Sequence, residues 1–568
     1  MATLEKDMRY KGQLQMHRRE IDFPGTAIAE SRIPGFVAAR RLAYVILIAA
    51  FVNGCASLPP GSDFPKTESS ALENPERTRL GRSIEKAASK HKGKSGFRLL
   101  PVGIDGFLTR LQMINAAERT LDIQYFIFQG DATGNLLTDA MLRAADRGVR
   151  VRVLIDDADI SRRDSRIKTL GTHPRIEIRI FNPFAYRGNS GFFRFIEFML
   201  NASRLDYRMH NKLLIVDNTI ALAGGRNIGD EYFQVGAESQ FGDYDVFAAG
   251  PIVRKLSATF DDYWKSTLAI PIRALAEEGD AGAELEAYRQ ALNDHRQDAN
   301  SGGGAYARRT ASGEPLAGLV SGRLPLVWAH AQVVCDSPDK KRVENGEMIG
   351  KLMHREVADT AAAVQSELLI VSPYFIPGDD GMRLIKDLRA RNVRVRVLTN
   401  SLESSDELWP LMAYAGYARY RLPLLKAGVG LYEVRPVLGK PKGTGNPAEL
   451  EGKGRFALHA KVFVFDRRKL FVGSMNFDQR SMRLNTEIGL IIDSPELARQ
   501  AAARFESITQ PANSYVLALR EDGSSEPHLV WRTQQDGKAI EYDKAPARDA
   551  EQRAKVEFFS LLPMDDEL

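Results

Sequence analysis

Only two cysteines, Cys55 and Cys335, occur in 568 residues, so no disulfide framework carries the fold. A chain of this length can bury a sizeable core without such staples. No apolar stretch crosses a bilayer as a helix: the unbroken run Leu42 to Val52 has eleven residues, against the ~20 a span requires. Surplus charge is small as well. The 78 Lys+Arg against 73 Asp+Glu leave +5, which suits a neighbour of anionic lipid or phosphate but not a nucleic-acid binder, so no nucleic-acid partner is expected. A P-loop is missing, since the glycines at 302–304 lead into Ala-Tyr-Ala and not into Lys-Ser. Histidines outside the repeated motif described below lack Cys, His or Asp at ligand spacing, so neither a metal nor another cofactor is expected. With 44% hydrophobic and 27% charged residues the chain is neither disordered nor fibrous, and it is too long for one ordinary domain.

The N-terminus has its own pattern. Arg40-Arg41 precede the Leu42–Val52 run, and the small residues Asn53-Gly54-Cys55-Ala56-Ser57 follow it, as in a secretory signal. Val52-Asn53-Gly54-Cys55 resembles a bacterial lipobox, which implies a cell-envelope protein anchored to the membrane through a lipidated Cys55. A short buried helix with an incidental cysteine is the alternative. Met1–Ala39 is long and partly acidic for the region before such a run, so a start further downstream, such as Met16, is a second expectation. Residues 56–95, rich in Pro, Ser, Lys and Glu, read as a flexible tether.

The body repeats itself. Leu121–Phe128 is echoed by Leu369–Ile376, and Arg147–Leu154 by Arg391–Leu398. Tyr125 to Tyr374 and His210 to His459 are both 249 residues apart, and one lag shared by distant segments means duplication. Within a half, strand Leu121–Phe128, helix Leu136–Arg147 and strand Val149–Ile155 alternate, which predicts an α/β layer with a largely parallel sheet. Two similar α/β domains are expected at 96–272 and 330–510, joined by a connector at 273–329 and followed by a C-terminal appendage at 511–568.

The strongest signal lies inside the repeat. His210-x-Lys212-x4-Asp217-x6-Gly224-Gly225-x-Asn227 is matched by His459-x-Lys461-x4-Asp466-x6-Gly473-Ser474-x-Asn476. One such pattern arises by chance on the order of 10⁻⁴ times in a chain of this size. The apolar, β-prone Leu213–Val216 and Val462–Phe465 place His-x-Lys on a strand, where residues two apart share a face. Asp217 and Asp466 fall at hairpin turns and read as structural supports in preference to proton carriers. Small Gly225 and Ser474 let backbone N–H groups, with the Asn227 and Asn476 amides, approach an anion. Two histidines, two lysines and two asparagines facing one another suit a phosphodiester. One imidazole attacks phosphorus, the other protonates the leaving oxygen, and the lysines neutralise the equatorial oxygens. A nucleophilic imidazole needs a carboxylate behind the ring. Glu487 is the better candidate and Asp243 the weaker.

These two motifs resemble the phospholipase D superfamily. Longer strings, Gly224–Tyr232, Gly473–Ser481 and Asn485-Thr486-Glu487, resemble its cardiolipin synthase branch, and the resemblance runs from Phe97 to the end of the chain. It implies two homologous phospholipase D-like α/β sandwich domains packed pseudo-symmetrically around one active site. It also implies a phosphatidyl group passed to a histidine and then to the hydroxyl of phosphatidylglycerol, giving cardiolipin. His210 is the expected nucleophile and His459 the acid and then the base, with phosphatidylethanolamine as an alternative donor. The branch carries transmembrane helices that this chain lacks, so access to membrane phospholipids must come from the lipid anchor and from contacts with the membrane surface. Phe192–Leu200, mixing aromatics with basic residues before the first motif, is either an interfacial helix or ordinary core; Trp409–Tyr420 reads as core. Hydrolysis of phospholipid, a nuclease-like phosphodiesterase and a non-catalytic envelope scaffold are the rival functions.

Overall fold

The computed structural model describes residues 58–158, 164–188, 190–235, 239–275, 281–297, 318, 325–405, 407–437, 455–520 and 527–562. Cys55, the run before it and most of the connector lie outside them. The first half contributes strands β1 (Ser95–Leu100), β2 (Thr120–Tyr125), β3 (Arg150–Asp156), β4 (Ile176–Phe181), β5 (Leu213–Val216), β6 (Ile220–Gly224), β7 (Ser239–Gly242), β8 (Asp245–Ala249) and β9 (Ala269–Pro271). The second contributes β10 (Val327–Cys335), β11 (Glu367–Val371), β12 (Arg394–Asn400), β13 (Gly430–Val434), β14 (Arg455–Leu458), β15 (Val462–Phe465), β16 (Lys469–Gly473), β17 (Ile488–Asp493), β18 (Ser514–Arg520), β19 (His528–Gln535) and β20 (Lys538–Tyr542).

Strand order makes the duplication visible. The first sheet runs β1-β8-β6-β5-β2-β3-β4-β9, and the second runs β10-β17-β16-β15-β11-β12-β13-β18. Antiparallel pairing of β1 with β10 fuses the two. The sheets are mixed and not largely parallel: only β2-β3-β4 and β11-β12-β13 run parallel. The strand–helix–strand units were legible as parallel, but each motif hairpin, β5-β6 and β15-β16, joins by antiparallel pairing.

The outer face of each sheet has its own apolar core, and the inner faces share one. Helices Pro251–Lys265 and Pro495–Ile508 contribute Phe260, Trp264, Leu497 and Phe505 to that shared core. The alternation of Val and Arg in β3 follows from this layering. Val151 and Val153 fill the outer core, while Arg152 points inward, fully buried. It is held by Asp122 at 2.7 Å and Asp261 at 2.8 Å, beneath the Phe260 ring.

Two expectations about the flanks are corrected. Residues 58–94 are no free tether. Arg152 donates to the carbonyl of Ser69 (3.1 Å), Arg179 to that of Thr67 (2.6 Å), Arg150 to that of Ser70, and Lys66 to that of Ser266 (2.9 Å). Thr78 then caps helix Arg79–Ala88, whose Leu80 and Ile84 are buried. The arginines that hold this segment lie more than 75 residues away in sequence, so its composition alone gave no sign of them. Nor are the described residues of the expected appendage at 511–568 set apart from the second half. β18 pairs with β13, β19 and β20 extend the sheet, and helix Ala550–Ser560 reaches the second-half loop through Gln552, which donates to the carbonyls of Leu402 (2.9 Å) and Ser405 (2.8 Å).

Limited trypsin digestion of the native protein should therefore spare Lys66 and Arg77 under conditions in which the urea-unfolded chain is cut at both. Mass spectrometry of the fragments checks it; early cleavage at Lys66 would mean the segment is not laid down on the first half.

Candidate active site

The site is built from two hairpins. Asp217 and Asn218 adopt φ of 50° and 48°, and Asp466 and Arg467 both 51°, a left-handed pair at the centre of the turn that closes each hairpin. Short polar side chains tolerate this conformation better than bulky ones, which explains Asp at both turns. Each carboxylate also ties its hairpin to the neighbouring strand. Asp217 accepts the backbone N–H groups of Glu118, Arg119 and Thr120 at 2.8–3.0 Å; Asp466 accepts those of Ser366 and Glu367 at 2.7 and 3.0 Å, and of Gln365. Neither reaches a histidine among the hydrogen bonds of the described residues.

His210 and Lys212 lie in extended chain immediately before β5, not on the strand, and His459 and Lys461 lie between β14 and β15. What positions them crosses between the halves. Met209 pairs in parallel with Thr486: His210 N donates to Thr486 O (2.9 Å) and Thr486 N to Arg208 O (2.9 Å). The next residues in register are His210 and Glu487. Likewise β14 pairs in parallel with β7, Leu458 opposite Gly242, so that His459 follows opposite Asp243. Each half thus supplies the carboxylate for the other half's histidine. Glu487 lies 2.9 Å from His210 Nδ1, and Asp243 lies 2.6 Å from His459 Nδ1. With Nδ1 turned to the carboxylate on both rings, Nε2 is the nitrogen on the far side of each imidazole.

Burial sets the charges. All four partners of these pairs are enclosed. Loss of water pushes both imidazoles well below their ordinary range, and the Lys212 and Lys461 ammoniums act in the same sense. The same loss pushes Glu487 up to about 7 and raises Asp243, while Lys461 falls to about 8. Lys212 donates to its neighbour's own carbonyl, His210 O, at 2.7 Å, and Lys461 lies 3.0 Å from His459 Nδ1. Burial lowers Lys212 well below its ordinary value too, so the resting site is two neutral imidazoles flanked by lysines whose charge burial disfavours, beside carboxylates drawn toward neutrality, a pocket short of negative charge.

Gly225 and Ser474 do not present their N–H groups to an anion. Those N–H groups are taken by Tyr244 O and Ile488 O, both at 2.9 Å. Their small size serves the carboxylates. A Cβ on Gly225 would stand 2.2 Å from Asp243 Oδ1, and Ser474 donates its hydroxyl to Glu487. The Asn227 amide donates to the Tyr232 hydroxyl at 2.8 Å, and Asn476 binds through its backbone N–H to Ser481 Oγ at 3.2 Å.

Sequence reasoning missed the rings that frame the imidazoles. Phe126 meets His210 edge-on at 4.9 Å, and Tyr232 meets His459 at 5.1 Å. Both stood inside the repeated strings, where alternation marks Phe126 for the face opposite the Tyr125 core position. Arg480, bound to Asp206 at 2.7 Å, bridges the halves at the same place. Asp156, at the end of β3, accepts Met209 N at 2.8 Å and so holds the residue before His210.

A duplicated α/β frame with two such histidines at the junction of its halves defines a phospholipase D-like protein. The family described as "Cardiolipin synthase, PLD-like domain" matches residues 111–264 and 358–509. The chain belongs to that family. It is 36% identical to cardiolipin synthase C of Escherichia coli (strain K12) over 86% of this chain and 99% of that one. It is 26% identical to a cardiolipin synthase of Clostridium perfringens (strain SM101) over 70% of this chain and 67% of that one. Among solved structures, the phosphatidylserine synthase of Haemophilus influenzae Rd KW20 aligns with a TM-score of 0.49 at 14% identity, over 77% of this chain and 92% of its own.

The two aspartates test what the motif is for. Removing Asp217, which is buried, strands three backbone N–H groups, and Asp217→Ala should cost about 3 kcal/mol. The peptides around Asp466 are more exposed, so Asp466→Ala should cost about 1 kcal/mol as water replaces the carboxylate. Urea unfolding of the two variants checks both the sign and the order.

Proposed function

We propose that this protein is a phosphatidyltransferase that makes cardiolipin, with phosphatidylglycerol as acceptor and a phosphatidyl-histidine as intermediate. The observation that carries the reading is the crossed pair of Nδ1-bound imidazoles, with Lys212 on the backbone carbonyl of His210 and Lys461 beside His459 Nδ1. His210 Nε2 attacks phosphorus of the donor, and the bond from phosphorus to the headgroup oxygen breaks as His459 Nε2 delivers a proton to that oxygen. His459 then takes the proton from the glycerol hydroxyl of phosphatidylglycerol. That oxygen displaces His210 from phosphorus and restores the free ring. Lys212 and Lys461 offset charge on the non-bridging oxygens. The phosphodiester anion supplies the negative charge that the resting pocket lacks, which raises the acid imidazole toward its protonated form.

His210 is the nucleophile in this scheme. Its ring is the more deeply buried of the two. Asp217 and Asp466 act as supports. The Leu42–Val52 run and Cys55 support attachment to the bacterial envelope through a lipidated cysteine, and among the described residues no helix is long and apolar enough to cross a membrane.

Transfer and hydrolysis differ only in the acceptor. Water stands at ~55 M, and well-oriented reactants reach effective concentrations of about 10⁵–10⁸ M. Vesicles of phosphatidylglycerol alone should yield cardiolipin and glycerol, and added phosphatidylethanolamine should yield ethanolamine as well. His210→Ala and His459→Ala should each lower turnover roughly 10³-fold or more, with lipid trapped on residue 210 in the His459→Ala protein. Phosphatidic acid as the dominant product at every acceptor density would make the protein a phospholipase.

The lysine gives the pH dependence. Lys461 carries its charge below about 8 and loses it above, so kcat/KM, which reports the free enzyme, should fall as pH rises through about 8. The histidines are neutral well below their ordinary value, so the nucleophile is not lost on mild acidification. A kcat/KM profile still rising at pH 9 would contradict this account.

A further inference from the structure

Helix Gly191–Leu200 is turned inside out. None of its residues is buried, and Phe192, Phe193, Phe195, Ile196, Met199 and Leu200 are all exposed, Phe192 and Leu200 by more than three-fifths. Its two charged residues face the protein instead. Arg194 donates to Asp157 O at 2.7 Å and lies over the Phe184 ring, while Glu197 accepts the N–H groups of Ala185 (2.6 Å) and Tyr186 (2.8 Å). A water-facing helix has the opposite polarity. Here the protein spends its polar side chains on fastening the helix down and leaves the outer face without charge.

Two further apolar projections stand around the same spot, and both come from the second half. The short helix after Gly191–Leu200, Ala202–Leu205, accepts Lys341 Nζ on the carbonyl of Ser203 at 3.0 Å. The loop that follows Lys341 ends in Met348 and Ile349, the latter fully exposed. Asp206, next in the chain, binds Arg480, and the Arg480 guanidinium lies 5.3 Å from the Trp409 ring, beside exposed Leu408. Arg480 is close enough to His210 to depress its basicity. The three projections are therefore tied together at Ser203–Asp206, the segment that leads directly into His210. Single exposed apolar residues need no explanation, but a gathered patch of this kind marks a binding surface.

We infer that this patch is a docking surface for a lipid bilayer, seating the entrance of the pocket against the membrane. The inference rests on the phosphatidyltransferase reading, because the choice of bilayer over another protein follows from continuity with a pocket whose substrates are bilayer lipids. A helix with aromatic and aliphatic residues outward lies well at the headgroup boundary, and Lys341 on the rim suits an anionic headgroup. A phosphatidyl group can then reach His210 without leaving the membrane, and the seated rim restricts bulk water.

Full-length Phe195→Trp, mixed with phosphatidylglycerol vesicles carrying brominated acyl chains, should show quenching of the added indole beyond that of the wild-type tryptophans. Absence of added quenching overturns the inference, and a change of oligomeric state on light scattering without quenching assigns the patch to a second copy of the chain. The triple variant Phe192→Ser, Phe195→Ser, Leu200→Ser should lower turnover on vesicles at least ~10-fold more than turnover of dispersed short-chain phosphatidylglycerol. An equal loss on both substrates would mean that the helix supports the pocket and does not dock. If the wild-type protein makes no cardiolipin from either substrate, the phosphatidyltransferase reading fails, and quenching still decides whether the patch meets lipid.

Discussion

Everything at the active site depends on register between strands that belong to different halves. Parallel pairing of β14 with β7, and of Met209 with Thr486, places a histidine of one half directly opposite a carboxylate of the other. Parallel ladders hold residues at evenly spaced positions, and slipping either pairing by one residue would turn the carboxylate to the opposite face. The fusion of β1 with β10 and the shared core behind the hairpins fix that register from outside. The imidazoles are placed by the interface between halves as much as by their own strands.

Electrostatics follow from the same enclosure. Four ionisable groups withdrawn from water cannot all stay charged, and here the imidazoles give way to neutrality while the carboxylates are drawn toward the protonated form. Such a pocket is poised for an anion, which restores the charge that burial removed. The difference between Gly225 and Ser474 belongs to this economy of space. Asp243 lies where no Cβ fits, whereas the longer Glu487 leaves room for a hydroxyl that binds it.

How far the fold and site could be read from sequence depended on the range of the interaction. Hairpin turns, the His-x-Lys spacing and the strand–helix–strand units are local, and their residues declare them. The lag of 249 shared by Tyr125 and His210 also made the duplication plain, although Arg147 and Arg391 stand 244 apart. The crossed carboxylates were harder, because the lag shortens before them. Gly225 N bonds to Tyr244 O as Ser474 N bonds to Ile488 O, so Tyr244 and Ile488 correspond at an offset of 244. Asp243 and Glu487 differ in type as well, and nothing in their spacing from the motifs equates them. The Pro- and Ser-rich segment after Cys55 misled for a related reason: its partners are arginines of β3 and β4, and composition does not record distant partners. The helix at 191–200 was undecidable in sequence because a core helix and an interfacial one share the same apolar residues; only the inward direction of Arg194 and Glu197 separates them.

The exchange of carboxylates also bears on descent. After a duplication, two copies that each kept their own acid could drift apart, one decaying while the other worked. Here neither copy holds a complete dyad, so a lesion in either acid is felt at the other copy's ring, and the pair is exposed to selection as a unit. A half transplanted from a relative would set its imidazole against a stranger's carboxylate. A single half standing alone would hold one imidazole and one acid that do not meet, and only a second copy docked on it would bring them together.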